Sequence, residues 1–223
     1  MNKIYIPATS ADQWAQFLAE PLKHWRSGFS ARTLAYSWQE ADGFPAEVRS
    51  ALIGAFPDIQ LLLALPEHQV PLPGGSRPSQ NDIWALARAG AHLISIAVEG
   101  KVAEPFGPTL DEWRAEGSSG KSARLAYLCE QLGLIDPLPG TIRYQLLHRT
   151  ASAVIEARRF GAGHAVMLVH SFSQSHQWFH DYAAFAALFG ADAAVNRLIP
   201  VRPDAEVRLS LCWVCGNAEY LGK

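Results

Sequence analysis

The tripeptide Glu99-Gly100-Lys101 lies in an alternating run, His92 to Val102, that places Ile94, Ile96, Val98 and Val102 on one face. Leu93, Ser95, Ala97, Glu99 and Lys101 fall on the other. Period two therefore sets a carboxylate and an ammonium side by side, and burying either one alone is costly enough that the pair needs a partner or a chemical task. A catalytic carboxylate and lysine would fit that need. The simpler alternative is a half-exposed ion pair at a strand end. Asp82, in Pro78-Ser79-Gln80-Asn81-Asp82-Ile83-Trp84, offers a second carboxylate upstream. Gln145 and Arg149 share one helical face at i,i+4 in Arg143-Tyr144-Gln145-Leu146-Leu147-His148-Arg149. Thr141 to Phe160 carries Arg143, Arg149, Arg158 and Arg159 against Glu156 alone, which suits phosphate contacts as well as it suits a solvated polar face.

These residues need elements to position them. Helical spacing is read over Ala11 to Trp25, with Ser10 as its cap, and over Ala31 to Ala41 and Ala46 to Phe56. Two short strands follow, Ile59 to Leu65 and His68 to Leu72, broken at Pro66-Glu67 and ended by Pro73-Gly74-Gly75. Arg77 to Gly90 reads as a short helix, with Ile83, Leu86 and Ala87 at helical spacing and Asp82 able to cap it. The His92 strand is apolar on both faces at its start, which predicts a central position. Beyond the Pro105 to Pro108 loop, helices are expected at Ser122 to Leu132, Ile142 to Phe160 and Gln177 to Phe189. Strands are expected at Ala165 to Phe172 and Val207 to Val214. The expectation is one α/β domain over residues 1–223 with a mixed central sheet flanked by helices. Its parts are a helical stretch (1–56), a core (59–172), and a final helix and strand (173–223).

An acid, then Glu-x-Lys on a central strand, then a helix and a further strand, resembles the PD-(D/E)XK nuclease superfamily, whose fold is called restriction-endonuclease-like. The resemblance covers roughly Ile59 to Phe172 and is sharpest at Glu99-Gly100-Lys101. It implies that Asp82 and Glu99 bind Mg²⁺ (or Mn²⁺) and that Lys101 positions the attacking water. It further implies that Gln145, with Arg143 or Arg149, meets phosphate. Asp82 departs from the family pattern if it opens a helix, since the family carries this acid at the end of a strand. Glu67, at the predicted turn, is a reserve acidic ligand or a solvated turn residue, and Glu104 is open to the same two readings. The implied activity is metal-dependent phosphodiester cleavage of nucleic acid, with DNA foremost. A non-catalytic binding or assembly module on the same core is the alternative.

Composition narrows the field. The chain has 223 residues, 49% of them hydrophobic and 18% charged, so it can bury a core, which argues against disorder. No apolar run reaches the roughly 18 residues of a membrane span. The net charge of −2 supplies no global field for a polyanion, so contacts to nucleic acid must be local. Three cysteines do not make a disulfide framework, and Met1 to Pro7 holds no leader-like apolar run, so the expected compartment is the cytoplasm.

Other motifs are weaker. Gly117-Ser118-Ser119-Gly120-Lys121-Ser122 has Ala115 where a phosphate-binding loop needs glycine, and reads as a loop with a helix start. Cys212-Trp213-Val214-Cys215 would point its cysteines to opposite faces of a strand, so a zinc site would require His176 and His180 as well. Neither Ser171 nor Cys129 has a base nearby in sequence, and His164 and His170 read as structural histidines beside a buried strand.

Overall fold

Apolar content concentrated in short β-rich runs separated by amphipathic helices yields a six-stranded mixed sheet with helices on both faces. The computed structural model describes residues 8–18, 20–115 and 117–223. Met1 to Pro7, on which the expected lack of a leader rests, lie outside the described residues. The strands are β1 (Gln60–Val70), β2 (Ser79–Ala89), β3 (His92–Lys101), β4 (His164–Ser171), β5 (Arg197–Arg202) and β6 (Arg208–Cys215). The helices are α1 (Pro21–His24), α2 (Ser30–Glu40), α3 (Ala46–Ile53), α4 (Leu110–Arg114), α5 (Ser119–Leu132), α6 (Tyr144–Phe160) and α7 (Phe179–Ala187). The order across the sheet is β1-β2-β3-β4-β6-β5. β1, β2 and β3 form an antiparallel meander, β4 and β6 continue parallel to β3, and β5 is an antiparallel edge.

The alternation read in β3 sorts its side chains between two cores. Ile94, Ile96 and Val98 join Leu34 and Trp38 of α2 and Val48 and Leu52 of α3. Ala97 joins Leu146, Leu147, Ala151 and Val154 of α6 on the other face. The parallel β3–β4 pair requires a crossover, and α4, α5 and α6 supply it. Gly161, left-handed at φ 66°, ends α6 and turns the chain into β4. His170 of β4 is fully buried: Trp38 Nε1 donates to its Nδ1 (3.2 Å), and its Nε2 lies 3.0 Å from Glu47 Oε1. It ties α2 and α3 to the sheet, the structural role expected of it.

Several elements differ from expectation. Arg77 to Gly90 is the strand β2, not a helix. Ile83 to Ala87 are all buried, so the run is apolar at every step and its helical spacing is accidental. The two predicted short strands are one, β1, because Pro66 sits in an edge strand, where its missing N–H costs no ladder bond in the interior of the sheet. Ala11–Phe17 is a 3-10 helix followed by the single-turn α1, and Ser10 makes no side-chain cap bond. β5 escapes sequence reading because it is a short, mostly half-buried edge containing Pro200. No helix among the described residues is long and apolar enough to cross a membrane.

Candidate functional site

The β1–β2–β3 meander brings the sequence-predicted acids together in one row. Pro66 pairs with Ile83 and His68 with Asn81, so Glu67 stands across from Asp82. Ile83 pairs with Val98, so the next step places Asp82 across from Glu99. One carboxylate per strand thus lines up on the sheet face that α6 covers. Asp82 is the fourth residue of the strand β2 and does not cap a helix. Its Oδ2 accepts from the Gly100 N–H at 2.8 Å, which joins it to the Glu-Gly-Lys tripeptide. A Cβ at Gly100 would lie 3.1 Å from Leu34 Cδ2 and 3.4 Å from Asp82 Oδ2, so glycine keeps that approach open.

Glu99 and Lys101 share a face, but the pair is buried and not the half-exposed ion pair of the simpler reading. Glu99 is 2% exposed, Lys101 4% and Arg149 7%. Lys101 Nζ donates to Glu99 Oε1 at 2.6 Å, and Arg149 Nε donates to Glu99 Oε2 at 2.7 Å. Arg149 Nη1 reaches Ser79 Oγ at 3.4 Å, and Nη2 lies 4.0 Å from Asp82 Oδ1. Phe106, fully buried, places its ring 5.0 Å from the Lys101 ammonium. Arg149 is therefore no solvated face residue, nor is it free to meet a phosphate as it stands.

The charges respond to one another. Burial pushes the Glu99 carboxyl up, but Lys101 and Arg149 outweigh it and hold the group below the ordinary carboxylate range. Asp82 is pushed up to about 7 by burial and by the Glu99 charge, against Arg149, Lys101 and the Gly100 N–H. Glu67 is pushed up to about 8 by burial and the Asp82 charge, although Gln80 Nε2 donates to its Oε2 at 2.6 Å. Burial and the charges of Arg149 and Arg124 hold His148 well below the ordinary histidine range. Its Nδ1 lies 2.7 Å from Ser79 Oγ.

These shifts set a pH dependence. An unfolded Glu or Asp titrates near 4.5 or 3.8, whereas folded Glu67 and Asp82 keep their protons to about 8 and about 7. Between those limits the folded state binds more protons, so stability falls as pH rises, by up to about 1.4 kcal/mol per pH unit per group. His148, His164 and His170 act in the opposite sense, but only below the ordinary histidine value of 6.5. Denaturant unfolding in chelator should therefore show a loss of about 1–3 kcal/mol from about pH 6.5 to about pH 8.5. Glu67→Gln should at least halve that loss; an unchanged slope would show that Glu67 does not titrate there.

The remaining expectations divide. Gln145 lies one turn before Arg149 on α6, and its buried Oε1 has no hydrogen-bond partner. Arg143 is elsewhere: its Nε donates to Asp181 (2.9 Å), its Nη1 to the Gly107 carbonyl (2.8 Å), and Trp178 stacks near its guanidinium. It clips α6 to α7 and is not part of the cluster. Glu104 accepts from the backbone of Ser30 and Val102 and so anchors the start of α2, while Glu67 is in the row. Ser79, Gln80, His148 and Phe106 belong to the cluster without any sequence signal, because strand register and helix placement bring them there.

The hard oxygens fit a cation of the magnesium class. Asp82 Oδ1 accepts no hydrogen bond among the described residues, and burial together with a neighbouring carboxylate raises both Asp82 and Glu67. Magnesium asks for only one or two protein carboxylates. Among the described residues no group of three His, Cys, Asp or Glu closes into a metal cage. Zinc fits poorly, because Cys212 packs in the α2–α3 core while Cys215 faces the other side, 3.3 Å from His176 Nδ1. His176 also precedes α7, so it shares no helical face with His180. Ser118 caps α5 through the Lys121 N–H, which makes the serine- and glycine-rich loop a helix start.

No curated protein and no solved structure matches the chain. A family model does match, over residues 7–218, and the chain belongs to that family, the domain of unknown function DUF6946.

Proposed function

We propose that the chain is a metal-dependent phosphodiesterase acting on nucleic acid, DNA foremost, on a restriction-endonuclease-like core. The observation that carries this reading is the Asp82–Gly100 bond, which links an acid on β2 to Glu99 and Lys101 on β3. The helical crossover from the Glu-Gly-Lys strand β3 to the further strand β4 supports this reading, since the resemblance implies a helix and a strand after that motif. Asp82 and Glu99 would hold Mg²⁺ or Mn²⁺, and when bound the ion would supply positive charge against the phosphate. Lys101, fixed at the end of β3, would orient the attacking water and donate to developing negative charge. Gln145 would offer its side-chain amide to the same phosphate.

One observation favours a binding or assembly module instead: both oxygens of Glu99 are already engaged by cations of the chain itself. A single experiment separates the two readings. Single-stranded, duplex and branched DNA and RNA are incubated with the protein in Mg²⁺, in Mn²⁺ and in chelator. The expected result is cleavage that requires the metal and falls at least about 100-fold in Asp82→Asn, whose circular dichroism stays that of the wild type. Binding without cleavage under every condition would leave the module reading in its place.

A further inference from the structure

The Arg149 guanidinium stands among three carboxylates where a cation of the site would stand. Nε meets Glu99, Nη2 approaches Asp82, and the charge of Glu67 also acts on it. With every group ionised, Glu67, Asp82 and Glu99 against Lys101 and Arg149 leave a net charge of −1. That deficit is small for recruiting a divalent ion, and removal of Arg149 would double it. The guanidinium is also the only one of the two cations that arrives on a helix: Lys101 is fixed to β3 itself, whereas Arg149 reaches down from α6.

We infer that Arg149 is an internal counter-cation that competes with the divalent ion and keeps the site closed until the ion displaces it. This rests on the metal-dependent reading above and concerns its regulation. A metal entering between Asp82 and Glu99 must exchange with the guanidinium, because the two positive charges repel strongly at such a distance in a buried site. Once displaced, Arg149 becomes a free bidentate donor beside the metal, able to take a phosphate oxygen that it cannot reach while it grips Glu99. Cation entry and phosphate capture are then one event. The closed arrangement is a latch on a site whose other groups are already in position.

The test is Mn²⁺ binding, followed by calorimetry and by the electron paramagnetic resonance of the free ion, in wild type, Arg149→Met and Arg149→Lys. Arg149→Met should bind Mn²⁺ at least tenfold more tightly, and Arg149→Lys, which keeps the charge, should stay within about threefold of wild type. Weaker or unchanged binding by Arg149→Met would overturn the inference, since it would mean that Arg149 supports the metal site or is remote from it. If Arg149→Met unfolds in chelator, refolding by Mn²⁺ at a concentration that leaves wild-type stability unchanged supports the inference, and failure to refold overturns it. Tighter binding without nucleic-acid cleavage would retain the latch and end the nuclease reading; cleavage with unaltered metal affinity would do the reverse.

Discussion

Glu99→Leu is expected to destabilise the protein by about 3–5 kcal/mol, the range seen when one partner of a buried ion pair is removed. The large effect comes from what is left behind. Lys101 and Arg149 are 4% and 7% exposed, and both spend their shortest contact on this one carboxylate. Glu99→Gln keeps an acceptor oxygen and the side-chain shape, so it should cost less, about 1–3 kcal/mol. Asp82 and Glu67 soften the loss in both variants. Without the Glu99 charge beside it, Asp82 ionises more readily and can turn toward Arg149, already 4.0 Å away. Because the three groups act as a unit, adding Lys101→Met to Glu99→Leu should restore part of the lost stability. Urea unfolding of the four proteins checks this. A Glu99→Leu protein within about 1 kcal/mol of wild type would mean that the two cations find water or other partners, and that the cluster is looser than its distances indicate.

The parts of this site that a linear reading could find are those fixed by local periodicity. Glu99 and Lys101 share a face because β3 alternates, and Gln145 and Arg149 share one because α6 has a turn of 3.6 residues. Both strands that flank α6, β3 and β4, were legible because each is an apolar run of strand length bounded by breakers. β2 was not. Buried on both faces from Ile83 to Ala87, it offers no alternation, and an unbroken apolar run fits a helix as well as a strand. A helix over this run would put Asp82 at a cap position, whereas the strand register sets it between two carboxylates, Glu67 on β1 and Glu99 on β3.

The row of three carboxylates is a non-local object. Its members are adjacent only because two hairpins set two registers, and a slip of one residue in either would turn an acid to the opposite face. Glu67 shows the difficulty. In sequence it follows a proline and looks like a solvated turn; in the fold it holds a left-handed backbone, φ 53°, inside an edge strand and points at Gln80 and Asp82. Arg149 shows the converse. Its membership of a basic, polar helix face was legible, but whether that face met water or the sheet depended on where the crossover laid α6. The sheet was the answer: α6 lies on β3, and Arg149 bonds to Glu99.

Lys101→Met is expected to separate chemistry from folding more cleanly than any change at Glu99. The ammonium leaves, but Glu99 keeps Arg149 at 2.7 Å, so no carboxylate is stranded and the stability cost should be about 1–2 kcal/mol. The methionine side chain can still fill the space beside Phe106, whose ring lies 5.0 Å from the ammonium in the wild type. Under the proposed reading, metal-dependent cleavage should fall at least about 100-fold, because Lys101, at the end of β3, would donate to the water and to charge building on the phosphate. Binding of nucleic acid, measured by fluorescence anisotropy in Ca²⁺, should change by less than about threefold, since a donor that acts mainly in the transition state contributes little to the ground state. Lys101→Arg should recover only part of the rate: it restores the charge but not the reach of a single compact donor along the strand. Equal cleavage by wild type and Lys101→Met, with both proteins folded, would remove Lys101 from the chemistry and leave the Glu99–Lys101 pair as a structural element of the sheet.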